Sequence, residues 1–395
     1  MPQKVDVKVD DVYNENDIVT KYVSLRIGSG KYIPLLPAVN PYKIKSATLS
    51  SLQDVPIENY IPITLEQLRL MDSSQEKQRA FINEKLCVDS GHTSFFVARL
   101  LVKGDQKIEH KDIEYIVDLL NFPSNDLMVV PTIYHYYTTK PTEKFPYKVN
   151  KPTDPLNAED YLTFVKSFIS VAKERGVEHL GLMFQSNLDY NSTDKLLSLY
   201  KDSETKIAFV DGRGNKISEL WPQINRLTSK GDGKAYTLRE KNGEKFALYS
   251  FDAAPYTARR EVAPAHNVLG YLYGFSSFGP RHTIRMKFNG KTQKKPNPPR
   301  LYNEDEIGYV GYISDTYKDE VKRFDTWFGK TFKDAKSKDP LMSYKKDYEI
   351  TNLASSISEL YSNMDEQKFW DAIFKKPNLE GDIKQIKNMN KSNPG

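Results

Sequence analysis

Residues Ala158 to Phe184 read AEDYLTFVKSFISVAKERGVEHLGLMF, and this stretch decides the fold class. Tyr161, Phe164, Val165, Phe168, Ile169 and Ala172 recur at three- and four-residue spacing, the period of a helix with one apolar face. Gly176 ends that helix, and Leu180 to Phe184 follows as a strand. The alternation continues in both directions. Upstream, Lys111 to Leu120 has helical spacing and Leu127 to Ile133 reads as a strand. Downstream come a short helix at Thr193 to Tyr200, a strand at Lys206 to Val210, a helical stretch at Ile217 to Leu227 interrupted by Pro222, and a strand at Phe246 to Phe251. Strands alternating with helices at this spacing predict parallel βαβ units, hence a barrel or a doubly wound sheet. No GxGxxG or GxxxxGK[ST] motif follows any of the strands, so the strongest signals of a nucleotide-binding sheet are missing. The expectation is an α/β protein built on a (β/α)8 barrel of TIM type.

Outside this block the pattern changes. Val5 to Val12, Tyr22 to Ile27 and Tyr32 to Leu36 read as strands around a Gly28-Ser29-Gly30 turn, an N-terminal β-hairpin element. Thr64 to Lys85 is a polar, helix-compatible run. It leads into Leu86-Cys87-Val88, a short apolar strand closed by Asp89-Ser90-Gly91. The Lys/Pro/Asn-rich stretch NGKTQKKPNPPR, Asn289 to Arg300, reads as an exposed linker. The expected organisation is therefore a barrel with its hairpin over 1–300 and a mainly helical extension over 301–395. Helices are expected around Asp319 to Phe328 and Leu353 to Met364, with a polar tail frayed after Lys375.

A chain of 395 residues with 39% hydrophobic and 12% aromatic residues can bury a large core, which excludes global disorder. The one cysteine, Cys87, can form neither an internal disulfide nor a multi-cysteine zinc site, and it fits a reducing, cytoplasmic setting. No stretch approaches 18 uncharged apolar residues, so neither a signal peptide nor a membrane span is expected. The net charge of +5 favours a polyanion only if it is focused on one face.

Asp89 and Asp252 each close a predicted strand, in LCVDSG and LYSFDAAPY. Residues at strand C-termini face the active-site mouth of a barrel, and two carboxylates meeting there can divide nucleophilic and proton-transfer roles between them. An aspartate after a strand is also a common helix cap or Asx-turn residue, so each alone carries little.

In chain order, the segment RIGSGKYIPLLPAVNPYKIKSATLSSL with Pro34, Pro37 and Lys45, then CVDSGHTSF, then Gln185-Ser186 and VDGRGN, then SFDAAPYTARR resemble motifs of the tRNA-guanine transglycosylase superfamily, the queuine and archaeosine type. The resemblance covers Arg26 to Arg260. It implies that Asp252 attacks the anomeric carbon of a nucleotide, expels guanine and forms a covalent glycosyl-carboxylate. Asp89 then carries the proton of the leaving and entering bases. It further implies that Ser90, Gly91, Gln185 and Gly212 line the base pocket and that a 7-deazaguanine-type base enters. No cofactor is implied. The chain departs from the family in lacking the cysteines of its zinc site, in having no acid within LMVVPT (Leu127 to Thr132), and in replacing the second glycine and the glutamine of DSGGFQ. With the zinc-bearing features of the tRNA enzymes missing, a zinc-less member acting on DNA or tRNA is expected, DNA being slightly favoured.

A basic, aromatic segment follows Asp252. Arg259, Arg260, Arg281, Arg285, Lys294 and Lys295 are interleaved with Tyr271, Tyr273, Phe275 and Phe278, the combination a nucleic-acid groove uses for phosphates and unstacked bases. A solvated charged loop beside core aromatics has the same composition. Two other functions fit the same residues: a catalytically silent nucleic-acid-binding barrel within a larger assembly, and a two-carboxylate glycosidase.

Overall fold

The computed structural model describes residues 5–15, 18–27, 29–40, 55–85, 92–104, 106–122, 125–138, 150–152, 158–177, 180–200, 206–228, 245–256, 261–282, 300–331, 341–362 and 373–391. Its N-terminal strands β1 (Val5–Glu15) and β2 (Ile18–Ile27) pair antiparallel, and β3 (Ile33–Pro34) returns onto β2 after the glycine turn. This is the expected hairpin element, with one more strand pairing than the turn signal alone indicates.

The main sheet contains β4 (Ile57–Thr64), β5 (Ser94–Lys103), β6 (Leu127–Val129), β7 (Thr132–Thr138), β8 (Asn150–Pro152), β9 (Leu180–Gln185), β10 (Ile207–Asp211), β11 (Ala247–Phe251) and β13 (Ser277–Phe278). Every pairing in it is parallel except β7 with β8. β6 and β7 are two pieces of one run, split at Val130-Pro131 and both paired with β5, which leaves seven successive parallel positions. The sheet curls. Its two edges approach one segment: the Ala38 N–H donates to Phe278 O (2.9 Å) after β13, while the Val39 N–H donates to Pro56 O (2.9 Å) and Val39 O accepts from the Glu58 N–H (2.8 Å) on β4. A smaller antiparallel sheet comprises β12 (Val262–Pro264), β14 (Leu301–Asn303) and β15 (Gly308–Val310).

Helices α1 (Leu65–Asp72), α2 (Gln75–Lys85), α3 (His110–Leu120), α4 (Ala158–Glu174), α5 (Tyr190–Leu199), α6 (Trp221–Thr228) and the single turn α7 (His266–Leu269) lie between the strands. In α4 the periodic residues Tyr161, Phe164, Val165, Phe168 and Ala172 are buried against the sheet. Gly176 takes φ +74° where the chain turns out of the helix, a conformation open to glycine at no steric cost. Thr64 caps α1 through a reciprocal box with Gln67, and Arg69 on α1 grips Asp112 on α3 with two bonds of 2.9 and 2.8 Å.

Several expectations are corrected. The run from Thr64 to Lys85 is two helices, broken at Ser73-Ser74. Pro222 does not interrupt its helix, because it occupies the first turn of α6, where its missing N–H would have no partner. Strands β4 and β5 were not foreseen. β4 contains Pro62, which a strand tolerates where neighbours are few, and beyond Ile57 the described pairing of β4 is with β5 alone. In the extension, α8 (Asp315–Thr331) and α9 (Leu341–Ser362) are longer than expected. The tail is ordered as α10 (Glu380–Lys391), held by buried Leu379, Ile383 and Ile386 at helical spacing. The expected strand at Leu86-Cys87-Val88 lies outside the described residues. Among the described residues no helix is long and apolar enough to cross a membrane.

Candidate active site at the C-terminal ends of the strands

Three neighbouring strands end in polar groups: β9 in Gln185, β10 in Asp211, and β11 in Phe251 followed at once by Asp252. Parallel register sets Asp211 beside both Gln185 and Phe251, so all three ends lie at one level. Arg99, from the middle of β5, reaches across to them. Its Nη2 donates to Asp211 Oδ1 (2.7 Å), its Nη1 to Asp252 Oδ2 (2.7 Å) and its Nε to Thr132 Oγ1 (3.2 Å). Arg99 and Asp252 are each 2% exposed and Asp211 is 1% exposed, so the ion triad is dry. The guanidinium also sits 5.3 Å from the Phe251 ring centroid and 5.5 Å from that of Tyr60, within cation–π range.

Asp252 is fixed from both sides. Its Oδ1 accepts the His282 N–H (2.7 Å), and its own carbonyl accepts the Gly214 N–H (2.6 Å) from the loop after β10. Its φ is +50°, a left-handed conformation that L-residues avoid, and Arg213 in the adjoining loop has φ +51°. Arg213 donates its backbone N–H to Asp211 Oδ1 (3.0 Å) and its Nη1 to Gln185 Oε1 (3.1 Å), with its guanidinium 4.9 Å from the Tyr134 ring centroid. Gln185 is fully buried, and among the described residues its Nε2 has no acceptor in hydrogen-bonding geometry.

A second buried layer supports the first. The His282 ring stacks on Tyr60 at 3.9 Å between centroids, and its Nε2 contacts Glu58 Oε1. The other Glu58 oxygen accepts the Tyr249 hydroxyl (2.7 Å). Glu58 is fully buried, so these partners are what make its placement tolerable.

One guanidinium serves two carboxylates, which sets the electrostatics. Burial pushes the Asp252 carboxyl above the ordinary carboxylate range; Arg99 opposes that shift and Asp211 adds to it. For Arg99 itself burial opposes the charge, but Asp211, Tyr60 and Asp252 outweigh it, and the guanidinium stays protonated. Burial pushes the Tyr60 hydroxyl up to about 12. With both aspartates ionised the triad carries a net charge of −1, a site suited to stabilising positive charge that develops on a ligand. Among the described residues no group of three His, Cys, Asp or Glu side chains is arranged to hold a metal ion.

Of the residues singled out from sequence, Asp252 and Gln185 come together at this mouth. Gly212 is beside them, its N–H donating to Phe251 O (2.8 Å) and its Cα so near Ala253 that an added Cβ would lie 3.0 Å from the Ala253 Cα. Arg281 is exposed and lies over Gly214, where a Cβ would be 3.5 Å from its Nη2. Asp89, Ser90, Gly91, Arg259, Arg260, Arg285, Lys294 and Lys295 lie outside the described residues. The described carboxylate nearest in role to a partner for Asp252 is Asp211. Sequence reading passed over it by taking VDGRGN for its glycines. Arg99 and Glu58 were also missed, although a charge within the apolar run SFFVARLLV signals a buried ion that must find partners.

No family model matches the chain, and no curated protein matches it. Among solved structures, a 3-keto-D-glucoside 4-epimerase from E. coli is similar over 63% of this chain and 93% of its own, at 12% identity and a TM-score of 0.29.

Proposed function

We propose that this chain is a base-exchanging glycosyltransferase, a pentosyltransferase that replaces guanine in a polynucleotide by a 7-deazaguanine-type base. In this reading the curled sheet and the segment Leu35 to Asn40 make up a closed (β/α)8 barrel, and the ligand enters at the strand C-termini. The observation that carries the reading is the sharing of Arg99 between Asp211 and Asp252. Before reaction the triad holds a net −1 charge against an oxocarbenium-like transition state. Asp252 Oδ forms a bond to C1′ of the nucleotide as the C1′–N9 bond breaks. The bonding pair leaves with the base, which takes a proton from Asp89. Esterified Asp252 is neutral, and Arg99 remains balanced by Asp211, so no buried charge is stranded in the intermediate. The entering base then gives its N9 proton to Asp89 and attacks C1′, displacing Asp252. Gln185 and Gly212, with Ser90 and Gly91, receive the base. Arg259, Arg260, Arg281, Arg285, Lys294 and Lys295 bind phosphates of DNA, or of tRNA, in a cytoplasmic setting.

A second reading, a silent nucleic-acid-binding barrel, is favoured by one observation: both Asp252 oxygens already accept hydrogen bonds. Each carboxylate oxygen has two acceptor positions, which leaves each one for a substrate. One experiment separates the readings. Wild type and Asp252→Asn are incubated with DNA and with tRNA in the absence of any free base, so that nothing displaces Asp252 from C1′, and run on a denaturing gel. The covalent reading expects a retarded adduct with wild type and none with Asp252→Asn. Adduct formed equally by both proteins, or by neither on any polynucleotide, overturns it.

A further inference from the structure

The turn that joins β15 to α8 departs from the usual chemistry of turns. The Ser314 N–H donates to Gly311 O (2.9 Å), which makes Gly311 to Ser314 a β-turn with Tyr312 and Ile313 at its two corners. Corner positions favour Gly, Pro, Asn, Asp and Ser. Here they hold a ring and a branched aliphatic chain, 47% and 76% exposed. Among the described residues Ile313 is the most exposed large hydrophobic side chain.

The tip is held at its base and borders the candidate site. The Gly311 N–H donates to Glu261 O (2.9 Å), the Tyr317 N–H donates to Ser314 O (3.1 Å), and Ser314 itself is buried. A Cβ on Gly311 would lie 3.3 Å from Arg300 Cζ, and that guanidinium is 5.9 Å from the Tyr256 ring centroid. Tyr256, with Arg281, lines the cavity beside the loops that hold Asp252. Size and charge say what such a tip fits. Two side chains fall far short of the roughly 800 Å² per partner that a stable protein interface buries. The exposed lysines in the first turns of α8 are engaged, Lys318 by Asp315 (3.1 Å) and Lys322 by Asp319 (3.1 Å), so apolar bulk rather than a phosphate-binding charge distinguishes the tip. One ring and one aliphatic chain on a stiff turn match the gap between two base pairs, which proteins open by inserting Phe, Leu, Ile, Met or Pro.

We propose that Tyr312 and Ile313 form a wedge that enters the stack of duplex DNA and holds it open while the neighbouring nucleotide turns out toward Asp252. The proposal rests on the base-exchange reading for why the duplex must open: a target inside the stack is out of reach until its nucleotide turns out of it. It adds the paired duplex as the form of the substrate, and the group that opens it. Tyr312 and Ile313 take no part in the covalent step.

The test uses the full chain and a DNA duplex carrying 2-aminopurine beside a central guanine, because 2-aminopurine brightens as it leaves the stack. Wild type is expected to raise the fluorescence. Tyr312→Ser/Ile313→Ser changes two exposed positions and is expected to keep the wild-type melting temperature while abolishing the rise. It should bind the duplex about 5- to 150-fold more weakly, the range equivalent to the roughly 1–3 kcal/mol of one ring stacked on a base. Its affinity for the single strand, which has no pair to open, should be unchanged. Tyr312→Phe/Ile313→Leu keeps the apolar bulk and should behave as wild type. No rise with wild type, an equal rise with the serine variant, or equal weakening on duplex and single strand overturns the wedge. Its failure is separable from failure of the exchange reading. An Asp252 adduct on DNA with equal fluorescence from wild type and the serine variant removes the wedge alone. A rise that needs Tyr312 and Ile313, with no adduct on any polynucleotide, removes the exchange reading alone.

Discussion

Arg99→Met is the most informative single perturbation, because Arg99 is the shared cationic partner of two aspartates that are almost without solvent. Methionine keeps much of the arginine stem's volume, so the loss is electrostatic rather than a cavity. Removing one partner of a buried ion pair costs about 3–5 kcal/mol, and here two carboxylates lose the same partner, which places the expected loss toward the upper end. At roughly 2–4 °C per kcal/mol, the slope for domains of about 150–250 residues, a loss of about 3–5 kcal/mol lowers the melting temperature by roughly 6–20 °C, and by less in a chain of 395 residues. The pH dependence distinguishes this cause from poor packing. Burial already holds the Asp252 carboxyl above the ordinary carboxylate range and Arg99 opposes that shift, so losing Arg99 makes the folded state bind more protons than the unfolded one and stability falls as pH rises. The deficit of Arg99→Met is therefore smallest at acid pH and grows toward neutrality. Adding Asp252→Asn to Arg99→Met should recover part of the loss, where Asp252→Asn in the wild-type background recovers none. Urea denaturation of the four proteins between pH 4 and 8 measures all of this. A deficit below about 1 kcal/mol, or one that does not change with pH, refutes the reasoning.

Gly279→Ala should destabilise by about 1–3 kcal/mol, because its Cβ would lie 2.1 Å from Glu58 Oε2 and 2.5 Å from the Tyr249 hydroxyl, both locked in the buried layer beneath Asp252. Gly381→Ala on α10, with nothing within 4 Å of the new Cβ, is the control and should be neutral or slightly stabilising by thermal melt. At the N-terminus, the Tyr32 hydroxyl, with Lys206, holds the Asp6 carboxyl at about 2, below its ordinary value of 3.8. A depressed carboxyl contributes stability above the unfolded value that is lost as pH falls from about 4 to 2. Asp6 keeps 23% of its side chain exposed and its cationic partners Arg26 and Lys206 are 41% and 34% exposed, so screening holds its contribution to about 1 kcal/mol. Asp6→Asn should accordingly weaken amide protection in β1 and β2 at pH 6 and leave it unchanged at pH 2; equal protection of the two proteins at both values would count against the assignment.

What the sequence made legible was local. The α4 periodicity, Gly176 and the strand after it could be read directly because each depends on residues within one or two turns of one another. Asp252 and Gln185 were readable as strand-end groups for the same reason. Arg99 was not, since its partners are 112 and 153 residues away and become neighbours only once the strands are ordered. β5 was hidden by its own chemistry, an arginine amid apolar residues, and β4 by Pro62 and by the buried Glu58, which look like loop residues until His282 and Tyr249 are brought to them. The tail of the extension was misjudged because three buried aliphatic residues are enough to dock α10, and a polar composition conceals so narrow a stripe.

The backbone at the strand ends bears on whether the triad is inert. An Arg–Asp pair needs no left-handed backbone, as half-buried Arg69 with buried Asp112 shows between two helices in ordinary geometry. At Asp252 and Arg213 the chain instead takes φ values near +50° in adjoining loops, conformations that cost about 1–2 kcal/mol each for side-chain-bearing residues. The two turns are knitted together by the Gly214 N–H on Asp252 O, and they point the Asp252 oxygens at Arg99 and at the His282 N–H. An aspartate kept only for ion pairing would gain nothing from that turn over an extended one. A nucleophile that must be held in one rotamer, desolvated and still ionised would gain orientation from the turn and charge balance from Asp211. Strain of this kind, placed where three strands deliver polar groups to one level, is what the proposed nucleophilic role of Asp252 would use.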